Sequence, residues 1–201
     1  MNVARSSRAG RGTDRSRGAT DVRVHRVTAW LIGVAGLLVT GLALAVEEFQ
    51  PGTVPMKAEQ IAPHTWVVQG QTGLVSNANE GFNANAGFVV TAEGVVVFDA
   101  LGTPALGKRL AGLIAATTAQ PIRKVVVSHY HADHFYGLQA LKGPGVEVWA
   151  HAIVRDYLAS EAPAARLAER RESLAPWVNE KTRVVAPDRT SATTRFSSSV
   201  A

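Results

Sequence analysis

The hydrophobic positions of this chain form short strand-like runs and longer helical stretches from about residue 60 onwards. The strand-like runs lie at residues 64–69, 85–90, 94–99, 124–128 and 146–150. Apolar residues recur with helical spacing at 103–116 and over 152–178, where Pro163 should separate two helices. Because strand, helix and strand follow one another after residue 94, the pattern predicts an α/β fold.

Four candidate metal ligands follow the valine-rich run 124–128: His129, His131, Asp133 and His134. Imidazole and carboxylate groups are the ligands that Zn²⁺ takes when no thiolate is present, and the chain has no cysteine. Residues two apart on an extended chain point the same way, which predicts that His129, His131 and Asp133 share one direction. His134 should point elsewhere unless the backbone turns, and a turn is expected before residues 135–137. Two directions of ligand indicate two metal positions. The alternative is a polar loop whose histidines cap a helix or face water.

Residues 129–134 resemble the His-x-His-x-Asp-His signature of the metallo-β-lactamase superfamily. The resemblance continues upstream through 85–90 and 94–99 and covers about residues 60–155. It implies an α/β fold of the αββα-sandwich type, of which this chain would contain mainly the N-terminal half. It also implies that His129 and His131 bind a first zinc ion and that Asp133 and His134 bind a second.

The same resemblance implies a zinc-dependent hydrolase, in which a metal-bound hydroxide attacks an amide, ester or thioester carbonyl. Asp133 would then be catalytic as well as a ligand, because its carboxylate could orient the hydroxide or take its proton. The implied cofactor is one or two Zn²⁺ ions. The implied partner is a small molecule with a hydrolysable carbonyl, such as a β-lactam, a lactone or a thioester.

Two further features gain a role from the resemblance. Asp99 resembles a buried aspartate that supports the metal loop through hydrogen bonds, although it could instead be the N-cap of the helix near Thr103. The segment 70–87, rich in Gly and Asn, corresponds to a loop that flanks the cleft and touches substrate in the family. A plain connection between strands is the alternative, and Phe82 is the first residue to test.

The resembled family takes further metal ligands from a second half of the domain. Here no histidine follows His151, and His151, Asp156 and Asp188 are expected to be solvated, hydrogen-bonded or capping residues. We therefore expect a truncated domain at 59–188 and a low-complexity, disordered tail at 189–201. The alternative function is a non-catalytic fragment with a residual metal-binding loop. An incomplete domain would also expose an apolar sheet face and self-associate.

The net positive charge is confined to the first 45 residues, whose seven arginines and two aspartates account for the value of +5. The remainder is neutral, which argues against a nucleic-acid partner. The apolar stretch 27–46 ends in Ala43-Leu44-Ala45, as in a signal peptide. Twenty apolar residues could equally form a membrane anchor, the only contact with a membrane that we expect. Either reading predicts an exported protein, periplasmic or extracellular, with 46–58 as a linker.

Overall fold

The computed structural model describes residues 49–192, and the strands and helices within this range follow the predicted order. The strands are β1 (Glu59–Ala62), β2 (Thr65–Val68), β3 (Ala86–Thr91), β4 (Gly94–Phe98), β5 (Ile122–Val127), β6 (Glu147–His151) and β7 (Arg189–Ser191). The helices are α1 (Pro104–Thr117), α2 (Ala132–Phe135), α3 (Leu138–Leu141), α4 (Val154–Ala159) and α5 (Ala162–Ser173). The predicted α/β fold is confirmed.

All of these strands form one mixed sheet in chain order. Strands β1 to β4 pair antiparallel, and β4 to β7 pair parallel. Helix α1 connects β4 to β5, because two parallel neighbours need a crossover of this kind. The carboxyl ends of β4, β5 and β6 therefore meet at one edge of the sheet, where the candidate metal loop begins.

One face of the sheet forms the core. The strand registers align Phe88, Val97, Val125 and Val148 across four strands, and each is at most 1% exposed. Helix α1 supplies Leu106, Leu110 and Ile114 to the same core at a spacing of four residues. This layer of helix on sheet gives the metal loop a rigid base.

The second face of the sheet carries both apolar and charged side chains. Phe98, Val126 and Trp149 align on it, and Phe98 is 38% exposed. However, the Nζ atom of Lys124 lies 4.2 Å from the centre of the Trp149 ring, and Glu147 accepts a hydrogen bond from the indole nitrogen at 3.0 Å. Self-association through this face stays a prediction, which sedimentation of the full chain would test.

The described part of the expected linker is held against the domain. Val54 is 5% exposed, and one carboxylate oxygen of Glu80 accepts hydrogen bonds from the Thr53 amide at 2.6 Å and the Val54 amide at 2.8 Å. Glu80 is itself 2% exposed. A buried carboxylate needs such donors because burial deprives it of water. The linker was predicted from composition alone, which gives no information about a partner so distant in the sequence.

The C-terminal boundary also differs from the prediction. Residues 182–187 form no regular secondary structure, and β7 begins at Arg189, inside the segment expected to be a disordered tail. Asp188 explains the position of β7, because its Oδ2 accepts a hydrogen bond from the Val148 amide at 2.7 Å and pairs with Lys142. The rest of the expected tail, 193–201, lies outside the described residues.

The anchoring of β7 should depend on pH. The hydrogen bonds from Lys142 and from the Val148 amide lower the pKa of Asp188 below its ordinary value. The ionised carboxylate is therefore favoured in the folded state, and its stabilising contribution is complete above the ordinary pKa of about 4. We expect the amide-exchange protection of residues 189–191 to fall as the pH drops below that value. An Asp188→Asn variant should show weak protection at every pH, and an equally steep loss in that variant would contradict the assignment.

The expected leader, 1–45 with its apolar stretch 27–46, lies outside the described residues. Among the helices that the structure describes, none combines the length and the apolar character needed to cross a bilayer.

Candidate metal centre

The metal loop, which comprises residues 128–134 and is called the histidine loop below, leads from the end of β5 into α2. Val127 is the last residue of the strand, and α2 starts at Ala132 after the extended residue His131. This short helix returns His134 towards the loop, and its ring centre lies 4.2 Å from that of His129. The rings of His129 and His131 lie 4.5 Å apart. The turn expected before residues 135–137 is present, and it brings His134 beside His129 instead of leaving it on the two-residue repeat of an extended chain.

The nitrogens of the first two histidines face each other. His129 Nε2 lies 3.1 Å from His131 Nδ1. Two nitrogen ligands of one tetrahedral zinc ion lie about 3.3 Å apart, because each bond is about 2.0–2.1 Å long. The two nitrogens lie at hydrogen-bond distance from each other, and this separation is close to that of two ligands of such an ion. Within residues 49–192, however, no group of three or more His, Cys, Asp or Glu side chains is arranged to hold a metal ion.

Asp99 organises the loop from the end of β4. Its Oδ1 accepts the Ser128 amide at 2.7 Å. Its Oδ2 accepts the Ser128 hydroxyl at 2.8 Å and lies 2.8 Å from His134 Nδ1. Its backbone has a φ of +59°, a conformation that aspartate tolerates better than most side chains. The supporting role implied for Asp99 agrees with these contacts, and the helix N-cap is instead Thr103, whose side chain accepts the Leu106 amide.

The same carboxylate orients two imidazole rings. An ionised Asp99 accepts only, so His134 Nδ1 must carry a proton, and in the neutral ring His134 Nε2 keeps its lone pair. The Ser128 hydroxyl donates to Asp99 and lies 2.9 Å from His129 Nδ1, from which it can accept a hydrogen bond. His129 Nε2 then also keeps its lone pair. Both rings are thus held in the tautomer that offers Nε2 to a metal ion.

The surrounding charges act differently on these two histidines. Burial lowers the pKa of His129, and the neighbouring His134 and His131 lower it further. Burial would also lower the pKa of His134, but the hydrogen bond and negative charge of Asp99, with a contribution from Asp133, raise it above its ordinary value. His129 therefore loses its proton more readily than His134, and a metal ion at His134 must compete with a more tightly held proton.

Asp133 has a partner that the sequence analysis did not identify. The side-chain amide of Asn83 donates to Asp133 Oδ2 at 3.0 Å, and that same oxygen lies 3.7 Å from His134 Nε2. The segment that contains Gly102 packs closely against Asp133. A Cβ atom at position 102 would lie only 3.2 Å from the Asp133 Cα atom. The only signal in the sequence was the richness of 70–87 in asparagine. The proposed test residue Phe82, by contrast, is a core residue with 1% exposure.

A cleft of about 970 Å³ opens beside the loop. Residues 127–133, the start of α4 and one side of α5 line it. His151 and Asp156 also line this cleft, and His151 Nδ1 accepts the Ile153 amide at 3.3 Å, as expected for a hydrogen-bonded histidine. The volume is that of a pocket for a small molecule.

Comparisons with solved structures give resemblances of low identity. A metallo-beta-lactamase from Hirschia baltica is 17% identical with a TM-score of 0.47, and the match covers 71% of this chain and 54% of that one. The metallo-beta-lactamase FIM-1 from Pseudomonas aeruginosa, in its mono-zinc form, is 21% identical with a TM-score of 0.45, covering 57% and 48%. The sec-alkylsulfatase Pisa1 from Pseudomonas sp. is 24% identical with a TM-score of 0.45, covering 58% and 18%. The chain thus spans between about a fifth and about half of the length of these proteins.

No curated protein matches the chain. The family model of the metallo-beta-lactamase superfamily matches residues 79–195, which include Asp99, the histidine loop and the whole lining of the cleft. This match covers more than half of the chain, and the chain therefore belongs to the metallo-beta-lactamase superfamily.

Proposed function

We propose that this chain carries the N-terminal half-site of a zinc-dependent hydrolase that cleaves an amide, ester or thioester. Membership in the superfamily supports a hydrolase. The observation that carries the choice of metal is the pair His129 Nε2 and His131 Nδ1, 3.1 Å apart beside a cleft of small-molecule size. When bound, zinc would supply a Lewis acid that makes water nucleophilic at neutral pH and polarises the carbonyl.

The residues of this chain would divide the remaining work. His129 and His131 would hold the ion. Asp133 Oδ2 and His134 Nε2, which lie 3.7 Å apart, would provide ligands for a second one. Asp133 would also accept a proton from the attacking water, and Asn83 would hold its carboxylate in place. Asp99 would keep the imidazoles in their binding tautomers through Ser128 and His134 Nδ1.

One observation favours the alternative of a non-catalytic fragment. Among the described residues, the loop does not bring a third ligand into a metal-holding arrangement with His129 and His131. Two imidazoles alone bind zinc weakly compared with the three protein ligands of catalytic sites. Activity would then require ligands from outside the described part of the chain.

Titration of the full chain with Co²⁺ as a spectroscopic substitute for zinc tests the proposal. We expect visible absorption bands typical of imidazole coordination, and their loss in His131→Ala. His64→Asn is the matched control, because it removes a histidine outside the cleft and asparagine tolerates the φ of +59° found at His64. Absence of imidazole bands in the unaltered chain would refute the metal site.

Hydrolysis assays of the zinc-loaded chain separate the two functions. Turnover of a β-lactam, a lactone or a thioester that is lost in His131→Ala would support the hydrolase. Metal binding without turnover of any of these substrates would favour the non-catalytic fragment.

We also propose that the protein is exported through its arginine-rich N-terminus. The support is the apolar stretch 27–46 and its small-residue end at 43–45. Mass spectrometry of the full-length product, expressed in a bacterial host, should find a mature N-terminus at Val46. Recovery of the intact chain from the membrane fraction would indicate an anchor instead, and intact chain in the cytosol would contradict export.

A further inference from the structure

The wall of the cleft formed by α5 carries a charged row of its own. Arg166, Glu169 and Arg170 all line the cleft, and their spacing of three and four residues places them on one side of the helix. One oxygen of the Glu169 carboxylate pairs with Arg166, and the other lies 3.4 Å from a terminal nitrogen of Arg170. A single carboxylate thus touches both guanidinium groups, and the row has a net charge of +1.

Arg170 is poorly satisfied for a cation that is largely shielded from water. Its side chain is 15% exposed, and Glu169 at 3.4 Å is its ion-pair partner in the described part of the chain. Within the same residues, its Nε atom is buried and has no hydrogen-bond partner. A guanidinium has five donors, and desolvating them without acceptors costs free energy. Such a group in the wall of an open cleft is short of an acceptor.

Helix α5 contacts the core through Leu167, and the charged row lies outside that contact. The helix has no buried residue, and it is held from its other side, where Arg171 donates to the carbonyl oxygens of Asn179 and Thr182 at 3.0 Å. The side facing the cleft is therefore available for ligand contacts. The positive charge of Arg170 and Arg166 also acts on the buried ring of Tyr136, where it opposes the rise in pKa that burial causes.

We propose that Arg166 and Arg170 form a subsite for a carboxylate group on the substrate, in the wall of the cleft away from the histidine loop. The proposal rests on the proposed function only in naming the ligand a substrate. A planar guanidinium matches a carboxylate through two parallel hydrogen bonds. Glu169 demonstrates that a carboxylate fits between these two groups, and a ligand carboxylate would share or replace that contact.

The test is direct binding of glutarate to the full chain without added metal, followed by NMR of the arginine side chains. Glutaramide, which has the same length but no charge, is the matched probe. We expect glutarate, and not glutaramide, to shift the Nε–H signals of Arg166 and Arg170. Arg166→Gln and Arg170→Gln should each weaken glutarate binding about 10-fold or more, because each removes a charge-assisted hydrogen bond.

Three variants complete the test. Glu169→Gln should strengthen binding, because it removes the competing internal carboxylate. Lys57→Gln removes the same charge as the arginine variants from an exposed position outside the cleft, where Lys57 pairs with Glu59, and it should leave binding unchanged. His64→Asn removes a histidine outside the cleft and should also bind glutarate normally. The absence of added metal separates this subsite from the metal loop and from hydrolysis.

The proposal is overturned if glutaramide shifts the same signals, or if Lys57→Gln weakens binding as much as Arg166→Gln does. It is also overturned if glutarate binds Arg166→Gln and the unaltered chain equally. Arg166 is the variant that keeps the test decisive if Arg170→Gln unfolds, since the side chain of Arg166 is 50% exposed.

Discussion

Replacing Asp99 with asparagine is expected to lower the affinity of the histidine loop for zinc by about 10- to 100-fold, the usual effect of removing a group that orients metal ligands. The backbone should tolerate the change, because asparagine accepts a positive φ as readily as aspartate does. Its side-chain oxygen can still accept the Ser128 amide, as Asp99 Oδ1 does at 2.7 Å. The loop should therefore fold, and the effect should fall on the imidazoles.

The reason is the exchange of an acceptor for a donor. The amide nitrogen of asparagine would take the place of Asp99 Oδ2, which lies 2.8 Å from both His134 Nδ1 and the Ser128 hydroxyl. Facing a donor, His134 must give up its proton at Nδ1 and carry it at Nε2, where it blocks a metal. The freed Ser128 hydroxyl can donate to His129 Nδ1 and impose the same reversal there.

Two measurements check this result. Co²⁺ or Zn²⁺ titration gives the affinity, and an NMR titration without metal gives the pKa of His134, which should fall because its hydrogen bond to the Asp99 carboxylate is lost. Asp156→Asn is the matched control, since it removes a carboxylate that lines the cleft outside the histidine loop. If Asp99→Asn leaves both the affinity and the pKa of His134 unchanged, Asp99 does not orient the loop.

Replacing Gly137 with alanine is expected to cost about 3 kcal/mol of folding free energy or more, at the upper end of the range for overpacked sites. A Cβ atom at this position would overlap the carbonyl oxygen of Ala100 and lie 3.0 Å from the Cα atom of Gly107 in α1. Both obstacles are backbone, so no side-chain rotation relieves them. Because the φ of Gly137 is −66°, the requirement for glycine is steric rather than conformational.

Gly137 matters because it lies where α1 meets the loops of the site. Its amide donates to the carbonyl oxygen of Leu101, and the Ala100 amide donates to the carbonyl oxygen of His134. An alanine would separate these segments and displace Asp99 from the histidines. Urea denaturation should report the lost stability, and metal affinity should fall in the fraction that still folds.

Gly112 provides the control for this substitution. It lies within α1, and a Cβ atom there would meet no other atom within 4 Å. Gly112→Ala should therefore stabilise the protein by roughly 0.5–1 kcal/mol, through helix propensity alone. Equal stability of the two alanine variants would contradict the close packing described at Gly137.

The elements that formed as predicted are those whose signal is local. The β-branched run of β5 and the periodicity of α1 need only neighbouring residues to be recognised. The two helices expected around Pro163 are present, although Pro163 lies near the start of α5 and not between α4 and α5. The cluster 129–134 identified the candidate ligands and, through its resemblance, the superfamily that the family model then confirmed.

The features that were missed depend on partners far away in the chain. Glu80 holds residues 53–54 from a distance of 26 to 27 residues, and Asp188 anchors β7 to Val148 from 40 residues away. Asn83 reaches Asp133 across 50 residues. No local pattern encodes such a contact, because it arises only once the sheet has brought the two segments together.

The amino-acid sequence by itself determined which groups are available for chemistry, since imidazole, carboxylate and guanidinium are properties of single residues and their order alone carried the family signature. Their directions were decided by the tertiary structure. A helical turn brings His134 to His129, Asp99 sets the tautomers from the neighbouring strand, and α5 places Arg166 and Arg170 in the wall of the same cleft. The physical reason is that hydrogen bonds and metal coordination act over about 2 to 3 Å, a scale that only the packing of helix on sheet determines.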